Sequence, residues 1–509
     1  MTAMDRRTFL GVGAGAALGG TMLSAVALER LTARSALAAG GSGRGLKARA
    51  AASVEGYGPV QPMADQRGVE VLALPAGFSY VTFGHIGGHM SDGTPTPLAL
   101  DGMAAFAGPN GTVRLIRNHE DRNLPGEGSV RAPRRHKYDP QGGGGTTTLD
   151  FDPRRRRLVR SFVSLAGTTV NCAGGISYRR RGWISCEETV AGPNHATESR
   201  QFPERHGYCY FVPVDRGRAD LRKTMPLRAM GRFAHEAVAV DQRTGIVYLT
   251  EDPGSGQGAG FYRFLPKDPE RLEAGGRLQI LGVRGAPQMD TRKGQTQGDA
   301  LAVDWFDIDE PDPEYTTEND PRSVFNQGYG QGGAIFNRLE GCWYDEGSIY
   351  FVSTSGGDAE NGDVNSDGYR EGFGQVWEYR PHPRHGGRLT LWFESPDGGV
   401  LDSPDNLTVT PRGGLLLCED DASTRYVDLH PQAPGLGHVN RLIGLTAAGD
   451  PFEFAVNRYS DAELAGACFS RDGEWLFFNI FGVSEGEPSE SLGSGMTCAV
   501  TGPWARGPL

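Results

Sequence analysis

Cysteine is scarce in this chain, with only seven among 509 residues, and so few in so long a chain exclude a fold held together by disulfide bonds. Long helical periodicity is also absent, so short apolar runs such as 415–417 and 475–478 predict buried strands. Basic residues are in deficit, with 51 Lys and Arg against 62 Asp and Glu, which argues against nucleic acid as a partner. With 75 glycines and 32 prolines, the composition predicts a turn-rich, all-β protein.

The N-terminus resembles a twin-arginine export signal. Arg6 and Arg7 precede a weakly apolar, glycine-rich run at 11–28, and the small residues at 36–38 are typical of a cleavage site. This run has too much glycine for a stable membrane anchor and ends near the minimum length that can span a bilayer. We therefore expect a cleaved signal at 1–38, read by the twin-arginine export machinery, then a flexible lead-in at 39–65. The mature protein would be periplasmic or secreted.

One pattern returns six times along the rest of the chain: a potential ligand, an apolar run, a turn, and a strand that ends in acidic or polar residues. Repeats of this kind, about 60–70 residues apart, are typical of the blades of a β-propeller. We predict one six-bladed β-propeller domain over 66–509, with a solvated insertion around 265–335. Aligned on the first ligand of each block, one column reads Asp101, Cys172, Glu236, Glu340, Asn406 and Ala465.

Equivalent positions of successive blades converge on the channel of a propeller, so this column predicts a ring of acidic side chains. Like charges held close together raise one another's pKa and oppose folding unless cations neutralise them. Oxygen ligands in this number suit Ca²⁺, or else Mg²⁺ or Mn²⁺, whereas the thiol of Cys172 indicates an additional, softer transition metal. The strand ends would add the acids Glu120, Glu187, Glu188, Glu251, Asp252, Glu419 and Asp420.

At these residues the chain resembles the PhoX-type alkaline phosphatases, exported bacterial enzymes that hydrolyse phosphate monoesters. The resemblance runs from about residue 70 to the C-terminus and rests on the order and number of short motifs, since each alone is weak. The matching segments are R-N-H-E at 117–120, N-C-A-G-G at 171–175, S-C-E-E at 185–188, G-R-F-A-H-E-A-V-A-V-D at 231–241, T-E-D at 250–252, F-N-R-L-E-G at 336–341, D-N at 405–406, C-E-D at 418–420 and A-V-T-G-P-W at 499–504.

The resemblance implies a channel cluster of Ca²⁺ and Fe³⁺ joined by an oxo bridge. Carried over to this chain, Cys172, Glu236 and Glu340 would hold iron or bridge it to calcium. The aligned column adds Asn406 as a further metal ligand. Arg338 would bind the substrate phosphate, and no second basic phosphate ligand is evident. We expect a monomer that acts on small phosphate monoesters. The calcium ligands would be mainly Glu120, Glu187, Glu188, Glu251, Asp252, Glu419 and Asp420.

Two other functions remain open. A metal-dependent lactonase or other ester hydrolase could use the same architecture, because a central Ca²⁺ also polarises carbonyl groups. The chain could also be a propeller that binds a ligand or partner without catalysing a reaction, because a fold by itself does not imply an activity. Arg338 favours the phosphatase, because its fork of N–H donors matches a phosphoryl group and has little use in opening a lactone.

Overall fold

The computed structural model describes residues 56–122, 125–126, 128–197, 200–316, 320–360, 362–365, 367–382, 384–420, 430–482 and 495–509. The predicted export signal lies outside these residues. Of the predicted flexible lead-in at 39–65, the part from 56 onward is described, and there Val60–Met63 forms strand β1, paired antiparallel with β2 (Leu72–Pro75). The sheet structure therefore begins before residue 66.

The regular secondary structure of the described residues is almost entirely antiparallel strand, arranged in five sheets, and from β4 onward the strands follow one another along the chain in six successive units. The first three units are β4 (Leu100–Ala107), β5 (Val113–His119), β6 (Gly144–Asp152) and β7 (Arg157–Thr168); β8 (Asn171–Ile176), β9 (Gly182–Glu187) and β10 (Cys209–Pro213); β11 (His235–Val240), β12 (Val247–Glu251), β13 (Phe261–Pro266), β14 (Gly276–Val283) and β15 (Ala300–Asp307). The last three are β16 (Leu339–Asp345), β17 (Ser348–Ser353), β18 (Gln375–Arg380) and β19 (Arg388–Glu394); β20 (Pro404–Val409), β21 (Leu415–Glu419), β22 (Arg441–Leu445) and β23 (Pro451–Asn457); β24 (Leu464–Phe469), β25 (Leu476–Ile480) and β26 (Met496–Thr501).

Strands from the two ends of the domain share sheets. Strand β3 (Ser79–Phe83) pairs with β26, so that Tyr80 lies opposite Val500. Strand β2 pairs with β23 and adds β1 to the sheet of the fifth unit. Because these pairings join residues far apart in sequence, they fasten the N-terminal strands to the last two units.

The first strands of the six units form a closed ring within the described part of the chain. Strands β4, β8, β11, β16, β20 and β24 contact one another in that order, and β24 contacts β4. A cavity among them has lining residues from all six first strands, which include Gly102, Ala173, Ala237, Gly341, Asn406 and Gly466. The ring therefore brings equivalent positions of all six units together.

Apolar side chains fill the space between neighbouring units. Between the fifth and sixth units, Leu442 and Phe454 pack with Leu476 and Phe478, all fully buried. Burial of each such side chain contributes about 1.5–3 kcal/mol. The strands predicted at 415–417 and 475–478 are confirmed as parts of β21 and β25.

The segment around 265–335, predicted as a solvated insertion, instead contributes to the sheet structure. Strands β14 and β15 extend the third unit, and β15 pairs with β19, which gives one nine-stranded sheet in the order β11-β12-β13-β14-β15-β19-β18-β17-β16. The helix α1 (Ser323–Tyr329) packs Val324 and Phe325 into the core beside β14. No helix in the described ranges is long and apolar enough to cross a membrane.

Candidate metal centre and phosphate site

A β-bulge interrupts the first strand of every unit beside the central channel. In five units the register shifts directly after the opening residue, as between Leu100 and Met103, and in the sixth it shifts after Ala465. A bulge bends its strand and redirects the side chain at that point. The second residues of these strands are Asp101, Cys172, Glu236, Glu340, Asp405 and Ala465.

This register places Asp405 in the column, where the sequence alignment placed Asn406. Asn406 corresponds instead to the small residues Gly102, Gly341 and Gly466, which neighbouring strands approach closely. A Cβ atom on Gly102 would lie 2.4 Å from the Cα atom of Ala173. Asn406 serves as a support: its Oδ1 accepts a 2.6 Å hydrogen bond from the Gly466 N–H, and its Nδ2 donates to Asp405 Oδ1 at 2.6 Å.

A second set of acids follows the second strand of four units. The residue just beyond each second strand donates its backbone N–H to the carbonyl oxygen of the residue before the first strand, as Glu120 does to Ala99 at 3.0 Å. The same bond occurs in all six units, so these positions are equivalent. Their residues are Glu120, Glu188, Asp252, Thr354, Asp420 and Phe481.

The two sets combine into one continuous cluster. The potential ligand atoms form four groups, and within each group all the atoms lie within 4.8 Å of one another. Consecutive groups overlap, because Cys172, Glu236 and Asp405 each belong to two of them. The Cys172 thiol donates to Glu188 Oε2 at 3.1 Å. The cluster consists of Asp101, Glu120, Cys172, Glu188, Glu236, Glu340, Asp405, Asp420 and Glu463.

Burial makes this cluster costly to ionise without cations. It raises the pKa of Asp101, Glu236 and Glu340 well above the usual range, and neighbouring carboxylates raise it further. The same causes raise the pKa of the Cys172 thiol. In addition, the buried Asp101 Oδ1 accepts no hydrogen bond from any described residue. This density of acidic donors fits a group of metal ions, which would neutralise the charges and satisfy the free oxygen.

Two arginines lie at the cluster. Arg338 donates from Nε to Asp252 Oδ2 at 3.1 Å and from Nη2 to Glu340 Oε1 at 2.9 Å. Arg122 donates from Nη2 to Glu188 Oε2 at 2.7 Å and also pairs with Glu120. Both guanidinium groups are partly accessible, with side chains 27% and 31% exposed respectively. The site can therefore offer two cationic groups to an anionic ligand.

The Arg338 guanidinium changes the charge state of its surroundings. Although burial raises the pKa of Asp252, the guanidinium together with hydrogen bonds from Glu340 and the Gly254 N–H lowers it more, so the net shift is downward. The pKa of Arg338 itself rises, because Asp252 and Glu340 outweigh the effect of burial. The pKa of Glu188 rises to about 7, because burial outweighs the opposing effect of Arg122. Arg338 is thus a permanent cation held between acids.

The backbone at Arg338 is strained. Its φ of 43° lies in the left-handed region, and Ala99, Val170 and Ser403 at the same position of other units have φ values of 53°, 49° and 47°. A side chain other than glycine costs about 1–3 kcal/mol in this region and persists only where the surroundings enforce it. The turn that precedes the first strand therefore recurs in four units and orients the residues that follow it beside the channel.

Three of the predicted metal ligands do not join the cluster. Glu187, Glu251 and Glu419 end their strands one residue before the cluster position, and successive side chains of a strand point to opposite faces. Their carboxylates therefore point into the units, where they accept hydrogen bonds. The donors include the backbone N–H groups of Thr169, Gly207 and Tyr208 for Glu187, the Gly260 N–H and Tyr262 hydroxyl for Glu251, and the Asp402 N–H and Arg441 for Glu419. Glu187 Oε1 also lies 2.6 Å from His206 Nδ1.

The other predicted site residues lie at the cluster, which also contains residues missing from the predicted ligand set. Asp101 stood in the aligned column, and a shift of one residue would have found Asp405. Glu463 occupies in the sixth unit the position that Arg338 occupies in the fourth, two residues before the column. Arg122 lies in a loop two residues beyond Glu120, and the repeated sequence pattern does not extend to this position.

Adjacent Glu188 and Glu187 offer a matched test of this geometry. Glu188→Gln removes a charge from the cluster, so metal content should fall and kcat/KM should drop by about 100-fold or more. Glu187→Gln weakens hydrogen bonds to buried N–H groups, so it should keep the metal and instead lower stability by about 1–3 kcal/mol. Elemental analysis and thermal denaturation of both variants distinguish the two. Equal metal loss in both would contradict the assignment.

A ring of β-strands that surrounds a buried acidic cluster with two arginines forms a site that can hold metal ions and bind an anionic group. The family model for alkaline phosphatase PhoX matches residues 55–482, and the chain therefore belongs to the PhoX alkaline phosphatase family. The resemblance inferred from the motifs is confirmed. The chain is accordingly a phosphoric monoester hydrolase.

Comparison with solved structures agrees on the fold. PhoX from Pseudomonas fluorescens, in complex with the transition state analogue vanadate, has a TM-score of 0.62 at 15% identity, covering 87% of this chain and 98% of that chain. A gluconolactonase from Xanthomonas campestris has a TM-score of only 0.39 at 10% identity, covering 91% and 100% of the two chains. No curated protein sequence matches the chain.

Proposed function

We propose that the chain hydrolyses phosphate monoesters at the acidic cluster, with calcium and ferric iron held by the cluster and with Arg338 and Arg122 binding the phosphoryl group. The observation that carries this proposal is the pair of arginines at the cluster, each bonded to two of the site's acids. A phosphoryl group is the anion that such donors match best, because it can accept hydrogen bonds from a guanidinium fork.

Donor chemistry divides the cluster between the two metals. Cys172 is its single sulfur donor, so we assign iron to Cys172 together with Glu236 and Glu340. The group of Asp405, Asp420 and Glu463 offers oxygen atoms alone, which suits calcium. The oxo bridge implied by the family is part of the same proposal.

Bound there, the ions would supply Lewis acidity toward the phosphoryl oxygens. The protein positions the substrate around them. Asp252 and Glu340 hold Arg338 Nε and Nη2, while its Nη1 bonds to no described residue and can donate to the substrate. Arg122 is held at the site by Glu120 of the first unit and Glu188 of the second. Because these donors are fixed before the substrate arrives, they stabilise developing charge with little reorganisation.

An assay of purified protein tests the proposal. We expect hydrolysis of 4-nitrophenyl phosphate, competitive inhibition by vanadate, and calcium and iron on elemental analysis. Vanadate is informative because it copies the five-coordinate phosphorus of phosphoryl transfer. A δ-lactone serves as the control substrate and should not be opened. Lactone opening without phosphatase activity, or zinc in place of calcium and iron, would contradict the proposal.

We extend the proposal to the architecture and the location of the protein. The closed contact ring of β4, β8, β11, β16, β20 and β24 supports a six-bladed β-propeller. The N-terminal motif supports export by the twin-arginine route to the periplasm or the medium. Replacement of Arg6 and Arg7 by lysine, followed by cell fractionation, tests this route, and normal secretion of that variant would contradict it.

A further inference from the structure

Two buried cysteines outside the acidic cluster face each other across adjacent strands. Cys186 in β9 lies directly opposite Cys209 in β10, and their Sγ atoms are 3.7 Å apart. Both residues are completely buried. Neither has a place in the proposed phosphatase mechanism.

The backbone around this pair suits a disulfide bond. The Cys209 carbonyl points away from β9, where it accepts a hydrogen bond from the Leu227 N–H at 2.9 Å. The neighbouring residue pair, Glu187 and Tyr208, is joined by a hydrogen bond from the Glu187 N–H to the Tyr208 carbonyl oxygen at 3.1 Å. Cys186 and Cys209 are therefore a non-hydrogen-bonded pair, in which Cα atoms lie about 4.5 Å apart. A disulfide spans Cα separations of about 4.4–6.8 Å, so the bond can form without moving the strands far.

Hydrogen bonds orient the two sulfur atoms toward each other. His235 Nε2 lies 3.0 Å from the Gly231 oxygen and so carries the proton that it donates there. His235 Nδ1 lies 3.5 Å from the Cys209 sulfur. The Cys186 and Cys209 thiols are also in contact, and either can be the donor. These contacts hold the Cys209 sulfur between His235 and the Cys186 thiol.

We propose that Cys186 and Cys209 form a dithiol–disulfide site that a peroxide oxidises. The Cys209 sulfur attacks one peroxide oxygen, the O–O bond breaks, and a sulfenic acid forms, while the other oxygen takes the proton of the Cys209 thiol and leaves as water or an alcohol. The Cys186 sulfur then attacks the sulfenic sulfur, and the hydroxide leaves as water with the Cys186 proton. Two thiols are oxidised and one peroxide is reduced. A small oxidant is required because neither thiol reaches the surface.

Peptide mapping of the metal-loaded protein tests this proposal. Hydrogen peroxide is added to the folded protein, remaining thiols are alkylated after denaturation, and the digest is analysed by mass spectrometry with and without dithiothreitol. We expect a Cys186–Cys209 crosslinked peptide in the majority of molecules, lost on reduction. Cys342→Ser, at another buried cysteine, should leave the crosslink unchanged.

Three results would overturn the proposal. The first is alkylation of both cysteines after peroxide treatment, which would mean that they pack as inert core residues. The second is a crosslink that involves a different cysteine. The third is irreversible oxidation of Cys209 with Cys186 still a free thiol. Mapping of the wild-type protein decides among these even if Cys186→Ser or Cys209→Ser fails to fold.

Discussion

Removal of the bound metals should abolish phosphatase activity and should make the protein less stable as the pH rises from 5 to 8. Activity is lost because the cations neutralise the acids and polarise the substrate. Stability falls because cations that bind only the folded state also stabilise it. The metal ions, proposed to be calcium and iron, are removed with chelators, and activity and Tm are then measured at both pH values.

The sign of the pH effect follows from the raised pKa values of the buried acids. A carboxyl group whose pKa is higher in the folded state than in the unfolded state contributes stability at low pH and loses it as the pH rises through the folded value. Burial and neighbouring charges raise the pKa of Asp101, Glu236, Glu340 and Asp405. For Glu188 the rise from 4.5 to about 7 corresponds to a loss of about 3 kcal/mol across that interval.

The opposite shift at Asp252 does not cancel this loss. Its pKa is lowered, so its contribution changes only at pH values below the ordinary range for aspartate. Added calcium should restore Tm at pH 8 more than at pH 5, because cations compete with protons for the same oxygen atoms. Glu188→Gln should reduce the pH dependence of the metal-free protein. A metal-free protein that keeps the same Tm at both pH values, or that retains activity, would contradict this account.

The sequence predicted the family, and it named most of the residues of the candidate cluster, because short motifs carry both. It could not distinguish ligands from supports where two acids are adjacent. Glu187 and Glu188 are the same residue type, but successive side chains of a strand point to opposite faces, so only Glu188 points to the channel. The same holds for Glu251 and Asp252. Alternation could have been applied to the sequence alone, if the end of each strand had been known.

The register error at Asn406 has a different origin. A bulge adds one residue to a strand without leaving a distinctive sequence, so the aspartate and asparagine at 405–406 could be aligned either way. Arg122 and Glu463 were missed because they lie outside the repeated blocks. The role of β15, which pairs with β19, was also hidden, because the polar residues of β15 suggested a solvated insertion. Long-range strand pairing is not encoded in local composition.

Replacement of Arg338 by alanine should lower kcat/KM for a phosphate monoester by about 100- to 1000-fold, the loss expected when one transition-state donor is removed. Arg338 is fixed by Asp252 and Glu340, and charge on the transferred phosphoryl group strengthens its interaction as the reaction proceeds. Arg338→Lys keeps the charge but not the donor fork, so it should recover only part of the rate.

Arg122→Ala provides the comparison, because Arg122 also binds two acids of the cluster. It should raise KM and lower kcat/KM, with both effects smaller than those of Arg338→Ala if Arg338 is the main phosphate ligand. Arg284→Ala, which removes an exposed ion pair with Asp304, is the surface control and should leave the kinetics unchanged. Metal content must be measured in each variant, because loss of a guanidinium frees two carboxylates that could bind additional cations. Full activity in Arg338→Ala with unchanged metals would remove this residue from the phosphate site and leave Arg122 as the candidate.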